Sequence, residues 1–264
     1  MSWNYDTRTV SIWTLDGRIK NVRFACSRGA LKQLVEHRQG ESDLAFHDGK
    51  WLLIATIEIP EAPQFEPKGF IGVDRGITNL ATTSDGTTTP GAVSDGIAAG
   101  RPARGPNSRP GRLAVRSSSS RSARREARHA THINHKISKT VVAVTQRTER
   151  GLALEQLQGI RERVTVPRDQ RARQSSWPFH QLGAFIAYKA KRAGVPFIEV
   201  DPAYTSQRCP RCGHTGRANR RTRDHFHCRR CGLAGPADHV AGVNIATRGA
   251  TAWVFVNMPD PAPV

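Results

Sequence analysis

Cys209-Pro-Arg-Cys212 and Cys228-Arg-Arg-Cys231 are two Cys-x-x-Cys pairs joined by a fifteen-residue spacer. Two thiolates from one tight turn can reach a single tetrahedral ion, and two such turns complete the four-sulfur shell of a zinc ribbon. Gly213 and Gly232 follow directly after the pairs, where a backbone turning around a metal often needs positive φ. The competing reading is a pair of disulfides or four unrelated thiols. His214, His225 and His227 flank the pairs and are read as neighbours, because four thiolates already fill the shell. Cys26 stands apart and reads as a small packed apolar residue.

Three carboxylates form the second set. Asp74 ends the apolar run Phe70-Ile71-Gly72-Val73, Glu155 ends Gly151-Leu152-Ala153-Leu154, and Asp238 opens a helical segment. In an α/β sheet, strand ends and helix N-termini converge on one edge, so acids distant in sequence can meet there. Three carboxylates holding two hard divalent ions suit phosphodiester hydrolysis: one ion activates water and the other stabilises the leaving 3′ oxygen. An all-oxygen site suits magnesium. Taken singly, each acid has a plainer reading: a turn cap at Asp74, a surface acid at Glu155, a helix N-cap at Asp238. Their joint placement in a very basic chain favours the shared site.

The chain has 264 residues, with 40 Lys and Arg against 22 Asp and Glu, a formal charge of +18. Such a chain repels itself unless it meets a polyanion, so nucleic acid is the expected partner. Charge alone implies binding, not chemistry. No run is long and apolar enough to cross a bilayer, and the N-terminal MSWNYDTRTV lacks the apolar core of a signal peptide. A cytoplasmic, reduced protein with no membrane partner is expected, which suits metal-bound thiolates better than disulfides.

The elements that must position these residues follow from periodicity. Residues 8–24 read as a hairpin around Asp16-Gly17, 28–39 as a short helix, and Trp51 to Ile59 as a strand. Pro60, Pro63 and Pro67 then mark a boundary, so residues 1–66 form a small β-rich module. Beyond Gly69, strands and helices alternate, which predicts an α/β domain over 67–264. Its strands are 70–73, 77–83, 151–155 and 195–200. A Gly-, Pro-, Ser- and Arg-rich stretch at 87–118 reads as mobile, and 160–175 as an Arg-rich loop. A long basic helix spans 119–149, with Ile133, Ile137, Val141 and Val144 on one stripe. A second helix begins near Ser176, with Trp177 as its hydrophobic anchor and Phe179, Leu182 and Ile186 facing inward. The ribbon occupies 205–235, and a last helix runs from Asp238 to about Thr247.

These residues also carry a family resemblance. IGVDRGITNLATTSDG resembles the first RuvC motif of TnpB-type nucleases, the transposon-encoded OrfB proteins related to type V CRISPR effectors. LALEQLQGIRERV resembles their second motif, and VDPAYTSQRCPRCGH, FHCRRCG and ADHVAGVNIATRG resemble the ribbon and third motif, in the same order. The similarity runs over roughly 68–249. It implies an RNase H-like fold with the ribbon inserted before the last helix. It further implies RNA-guided DNA cleavage, with Asp74, Glu155 and Asp238 as a magnesium-binding catalytic triad and zinc on the four cysteines. DNA and a guide RNA would be the partners, and helix 119–149 would meet their phosphates. Tyr204 to Gln207 would lie near the scissile strand or simply form turns.

Two departures stand out. The family begins with a long helical recognition segment set in a β-barrel wedge, whereas residues 1–66 look like the closing part of that wedge. The Asn usual two residues after the last catalytic Asp is Val240, which should weaken metal positioning; Asn244 keeps the later Asn. The alternative is a non-catalytic, truncated or domesticated DNA- or RNA-binding zinc-ribbon protein.

Overall fold

A computed structural model describes residues 1–47, 49–76, 78–90, 112–157 and 179–257, with the side chains of 112–123 not described. The expected Arg-rich loop at 160–175 and Trp177 lie outside the described residues. So does most of the stretch expected to be mobile. The chain divides into two units, Met1–Glu61 and Ala62–Val264.

In the first unit, β1 (Ser2–Asn4), β2 (Thr9–Thr14) and β3 (Gly17–Arg23) form an antiparallel sheet. The hairpin expected at 8–24 is its β2–β3 pair. Helix α1 (Arg28–His37) starts at Ser27, whose hydroxyl accepts the Ala30 N–H at 3.2 Å. The sequence reading missed β4 (Arg38–His47), which pairs with β5 (Lys50–Ile57) and sets Phe46 opposite Trp51 with ring centroids 5.0 Å apart. Gly40, Glu41 and Asp43 dilute the apolar alternation of β4, and the cross-strand aromatic pair supplies what local pattern lacks.

The unit ends at Glu61 rather than at residue 66. The Ala62 N–H donates to the Arg192 carbonyl at 3.3 Å, and Phe65 packs on the core of the second unit. The segment after Glu61 therefore follows the second unit's packing.

The second unit is built on a five-stranded sheet. Strands β6 (Phe70–Asp74), β7 (Asn79–Thr83) and β8 (Thr88–Pro90) are antiparallel neighbours. On the other side β6 pairs in parallel with β9 (Gly151–Glu155), and β9 with β10 (Phe197–Val200). The order is β10-β9-β6-β7-β8. The short apolar runs of β6 and β9 are buried on both faces, as expected of strands sandwiched between helices. Ile71, Val73, Leu152 and Leu154 meet α2 (Arg112–Arg147) and α3 (Phe179–Arg192) through Ile137, Val141, Leu182 and Ile186. The alternate residues Phe70 and Ala153 meet Ile245 and Trp253 of α4 (Ala237–Val256) on the opposite face.

Helix α4 runs well past the expected Thr247, because Ala250 and Trp253 bury against Phe70 and Ile198. Helix α2 likewise begins before residue 119 and ends at Arg147 rather than 149. Among the described residues, no helix is long and apolar enough to cross a membrane.

Gly72 decides how closely α4 lies on the sheet. A Cβ at Gly72 would stand 2.1 Å from the Gly242 carbonyl oxygen and 2.4 Å from the Ala246 nitrogen. Backbone cannot yield as a side chain can, so only glycine lets α4 lie this near β6. Gly72→Ala is expected to cost about 3 kcal/mol or more of stability. The check is urea unfolding, in which the midpoint should fall.

Candidate functional site

Asp74 and Glu155 are the last residues of adjacent parallel strands, one step beyond the Val73–Leu154 pair. Their carboxylates therefore emerge side by side at the C-terminal edge of the sheet. Asp238 lies in the first turn of α4, where the helix dipole favours a negative charge. The approach allowed by Gly72 and Gly242 brings that turn to the same edge. Asn79, at the start of β7, donates through Nδ2 to Asp238 Oδ2 at 3.0 Å.

Electrostatics register the convergence. Burial, then the charges of Glu155 and Asp238, push the Asp74 carboxyl well above its ordinary range, with Arg220 and Arg75 pulling it back in part. Burial also raises Glu155, against the lowering effect of the Arg75 charge and its backbone N–H, while Asp238 adds to the rise. The sheet edge and the start of α4 thus bring together acids whose charges oppose one another. All the donors are oxygens, so a hard divalent ion fits them.

Beside Asp238 opens a cleft of about 450 Å³, lined among others by Asn79, Thr82, Asp85, Asp224 and His239. That volume lies in the range of ligand-binding clefts. Asp85 on its rim is held by Arg150, with contacts of 2.9 and 2.5 Å. The hydrogen bond to that guanidinium keeps the Asp85 carboxyl below its usual value against the opposing effect of burial, with the Arg150 charge adding to the lowering.

The four cysteines meet as their spacing predicts. Their Sγ atoms all lie within 4.8 Å of one another. Cys209 and Cys231 are 3.5 Å apart, and Cys212 and Cys228 3.6 Å, so sulfurs from different knuckles pair across one centre. Zinc–sulfur bonds near 2.3 Å at tetrahedral angles put sulfurs about 3.8 Å apart, so the cluster fits zinc. Burial pushes the Cys228 thiol up, but the backbone N–H groups of Cys231 and Arg230 and the Cys212 and Cys209 thiols outweigh it and bring it to about 6. A thiol so disposed is ready to bind metal as thiolate. Gly213 and Gly232 take φ of 71° and 73°, the left-handed conformation that the turns require. The three flanking histidines are not in the cluster found among the described residues.

Val240 faces the ribbon, buried with Cys209, Phe226, Cys228 and Ala237. Asn244 is 3% exposed, and its Nδ2 donates to the carbonyls of Thr205 at 2.7 Å and Arg208 at 2.8 Å. The ribbon is therefore tied to the same helix that carries Asp238. Thr205 is buried and Tyr204 exposed, with Tyr204 at φ 61° in the turn entering the ribbon.

Sequence reasoning missed Arg75, Asn79 and Arg220. Arg75 stands next to Asp74, yet nothing in its spacing shows that it turns inward. Arg220 reaches the Asp74 field only because the ribbon folds over the sheet edge. Gly72 did carry a signal, since an isolated glycine in an apolar strand marks close backbone approach.

Residues 179–245 match the family described as Cas12f1-like, TNB domain. Over 71 residues the chain is 45% identical to the CRISPR-associated endodeoxyribonuclease Cas12f1 of Sulfoacidibacillus thermotolerans, covering 27% of this chain and 17% of that protein. Over 112 residues it is 35% identical to the TnpB-like protein MJ0751 of Methanocaldococcus jannaschii, covering 42% of this chain and 40% of that protein. The fold is like that of a chain in the cryo-EM structure of a Cas12f1-sgRNA-target DNA complex. There the TM-score is 0.50 at 18% identity, over 77% of this chain and 55% of that one. The matched parts thus span between 17% and 55% of these proteins' own length. In sequence over these segments, and with an α/β fold like that of a Cas12f effector, the chain resembles the TnpB-type RNA-guided nucleases.

Proposed function

We propose that the chain is a TnpB-like RNA-guided DNA endonuclease with an RNase H-like RuvC centre, in which Asp74, Glu155 and Asp238 hold magnesium. The observation that carries this reading is the meeting of three sequence-distant acids at one sheet edge, with Asp74 feeling both of the others. Two divalent ions bound there would supply an activated water and stabilise the leaving 3′ oxygen.

The chain's own residues do the rest. Asp74 and Glu155 project from neighbouring strand ends and fix the spacing of the site. Asn79 orients Asp238 through its hydrogen bond. Arg220 places positive charge near Asp74, where a scissile phosphate would lie. The exposed Arg125, Arg128, Lys136 and Lys139 of α2 would meet phosphates of the bound strands. The four cysteines hold a structural zinc that organises the ribbon, and residues 1–61 form the wedge-like module that the resemblance suggests. Target DNA and a guide RNA are the proposed partners.

The test uses the purified protein with its co-purifying RNA retained, acting on labelled single-stranded DNA. Magnesium-dependent cutting, leaving 5′ phosphate and 3′ hydroxyl ends, is expected, and the retained RNA can then be sequenced for a guide. Tight binding of nucleic acid with no cutting would overturn the reading in favour of a non-catalytic binder.

A further inference from the structure

Arg75 follows Asp74 in the chain and turns into the interior beneath the acids. Its side chain is 3% exposed and that of Glu155 8%. The Arg75 backbone N–H donates to Glu155 Oε1 at 3.2 Å, and Nε stands 3.9 Å from the same oxygen. One terminal nitrogen donates to the Glu155 carbonyl, and the other to the Phe179 carbonyl at 3.2 Å. Nε itself is buried without a hydrogen-bond partner. These contacts engage Oε1 and the main chain and leave Oε2 to other partners.

Room for this side chain comes from α3. A Cβ at Gly183 would stand 2.4 Å from a terminal nitrogen of Arg75. Pinned between two carbonyls, the guanidinium cannot swing aside as a free arginine would. A helix interior gains nothing from glycine by itself, so the position reads as space kept for Arg75.

We infer that Arg75, seated against Gly183, is a positioning residue that turns Glu155 Oε2 towards a divalent ion and neutralises the acids while no ion is bound. The inference rests on the ion site proposed above. Arg75 touches neither substrate nor ion; it acts through Glu155. Lysine would keep the charge but lacks the planar fork that spans both carbonyls.

The test is manganese binding to the zinc-loaded full chain, followed by electron paramagnetic resonance and paired with thermal melts. Wild type, Arg75→Lys, Gly183→Ala and Asp74→Asn are compared. Gly183→Ala crowds the pinned guanidinium and should melt lower than wild type, yet remain folded and bind manganese about tenfold more weakly or worse. Arg75→Lys should weaken binding similarly. A residue that merely filled space would alter the melt and leave affinity alone. Manganese affinity within twofold of wild type in both variants would overturn the inference while leaving the ion site intact. No more manganese on wild type than on Asp74→Asn would overturn the ion site itself, and the inference with it.

Discussion

Asp74→Asn should lower magnesium-dependent cleavage about a thousandfold, ~4 kcal/mol of barrier, while making the ion-free protein more stable. The two effects have one cause. Asp74 is half-buried beside Glu155 and Asp238, and its folded-state pKa lies well above its unfolded value. Between those values the native state holds more protons than the unfolded state, so stability falls as pH rises through that window. Above it the full cost of the buried charge is present, and asparagine removes that cost. Without added divalent ion, the variant should therefore melt higher than wild type at pH values above the window and equal it in acid. Added manganese or magnesium should raise the wild-type melting temperature, because an ion that binds only the folded state stabilises it. The variant should show little of that rise. Cleavage by Asp74→Asn within tenfold of wild type would remove Asp74 from the site.

The second large effect concerns zinc. The purified chain should carry one zinc per molecule by elemental analysis, and Cys228→Ser should lose it. Structural zinc contributes about 10–16 kcal/mol in zinc-finger peptides at neutral pH. The apolar cluster of the ribbon, Phe226, Ala237 and Val240 beside the cysteines, is too small to replace that. The ribbon should unfold outright, with fast hydrogen exchange over 205–235. The damage should also travel. Asn244 would lose its Thr205 and Arg208 carbonyl partners, and Val240 its packing, so the first turns of α4 should loosen and carry Asp238 with them. Strands β6 and β9 should stay protected, since their other face rests on α2 and α3. Cleavage should fall at least tenfold through loss of the α4 start. Slow exchange over 205–235 in zinc-free Cys228→Ser would show that the ribbon folds without metal.

Much of this arrangement is legible in the sequence, and each legible part rests on local physics. The Cys-x-x-Cys pairs announce a shared ion because ligand spacing within a turn is a local matter. Runs such as FIGV and LALE announce buried strands because apolar residues on both faces need cover on both. Asp74 and Glu155 sit at the ends of those runs, so their common edge follows once the two strands are parallel neighbours.

Where the sequence falls short, the deciding contact lies far along the chain. Strand β4 is held by pairing with β5, and the last turns of α4 by Trp253 on Phe70, with centroids 5.8 Å apart. Val240 reads in sequence as a missing asparagine, yet the structure buries it in the ribbon core. Residues two apart on a helix point to nearly opposite sides, so Asp238 and Val240 serve different surfaces. The inward turn of Arg75 depends on a glycine more than a hundred residues away. By itself, the sequence determined the two thiol pairs that meet in the ribbon and the strands that end in Asp74 and Glu155. Only the tertiary structure decided how closely α4 approaches β6 and which charges stand beside the acids, because an isolated glycine such as Gly72 marks a close approach without saying which distant element makes it.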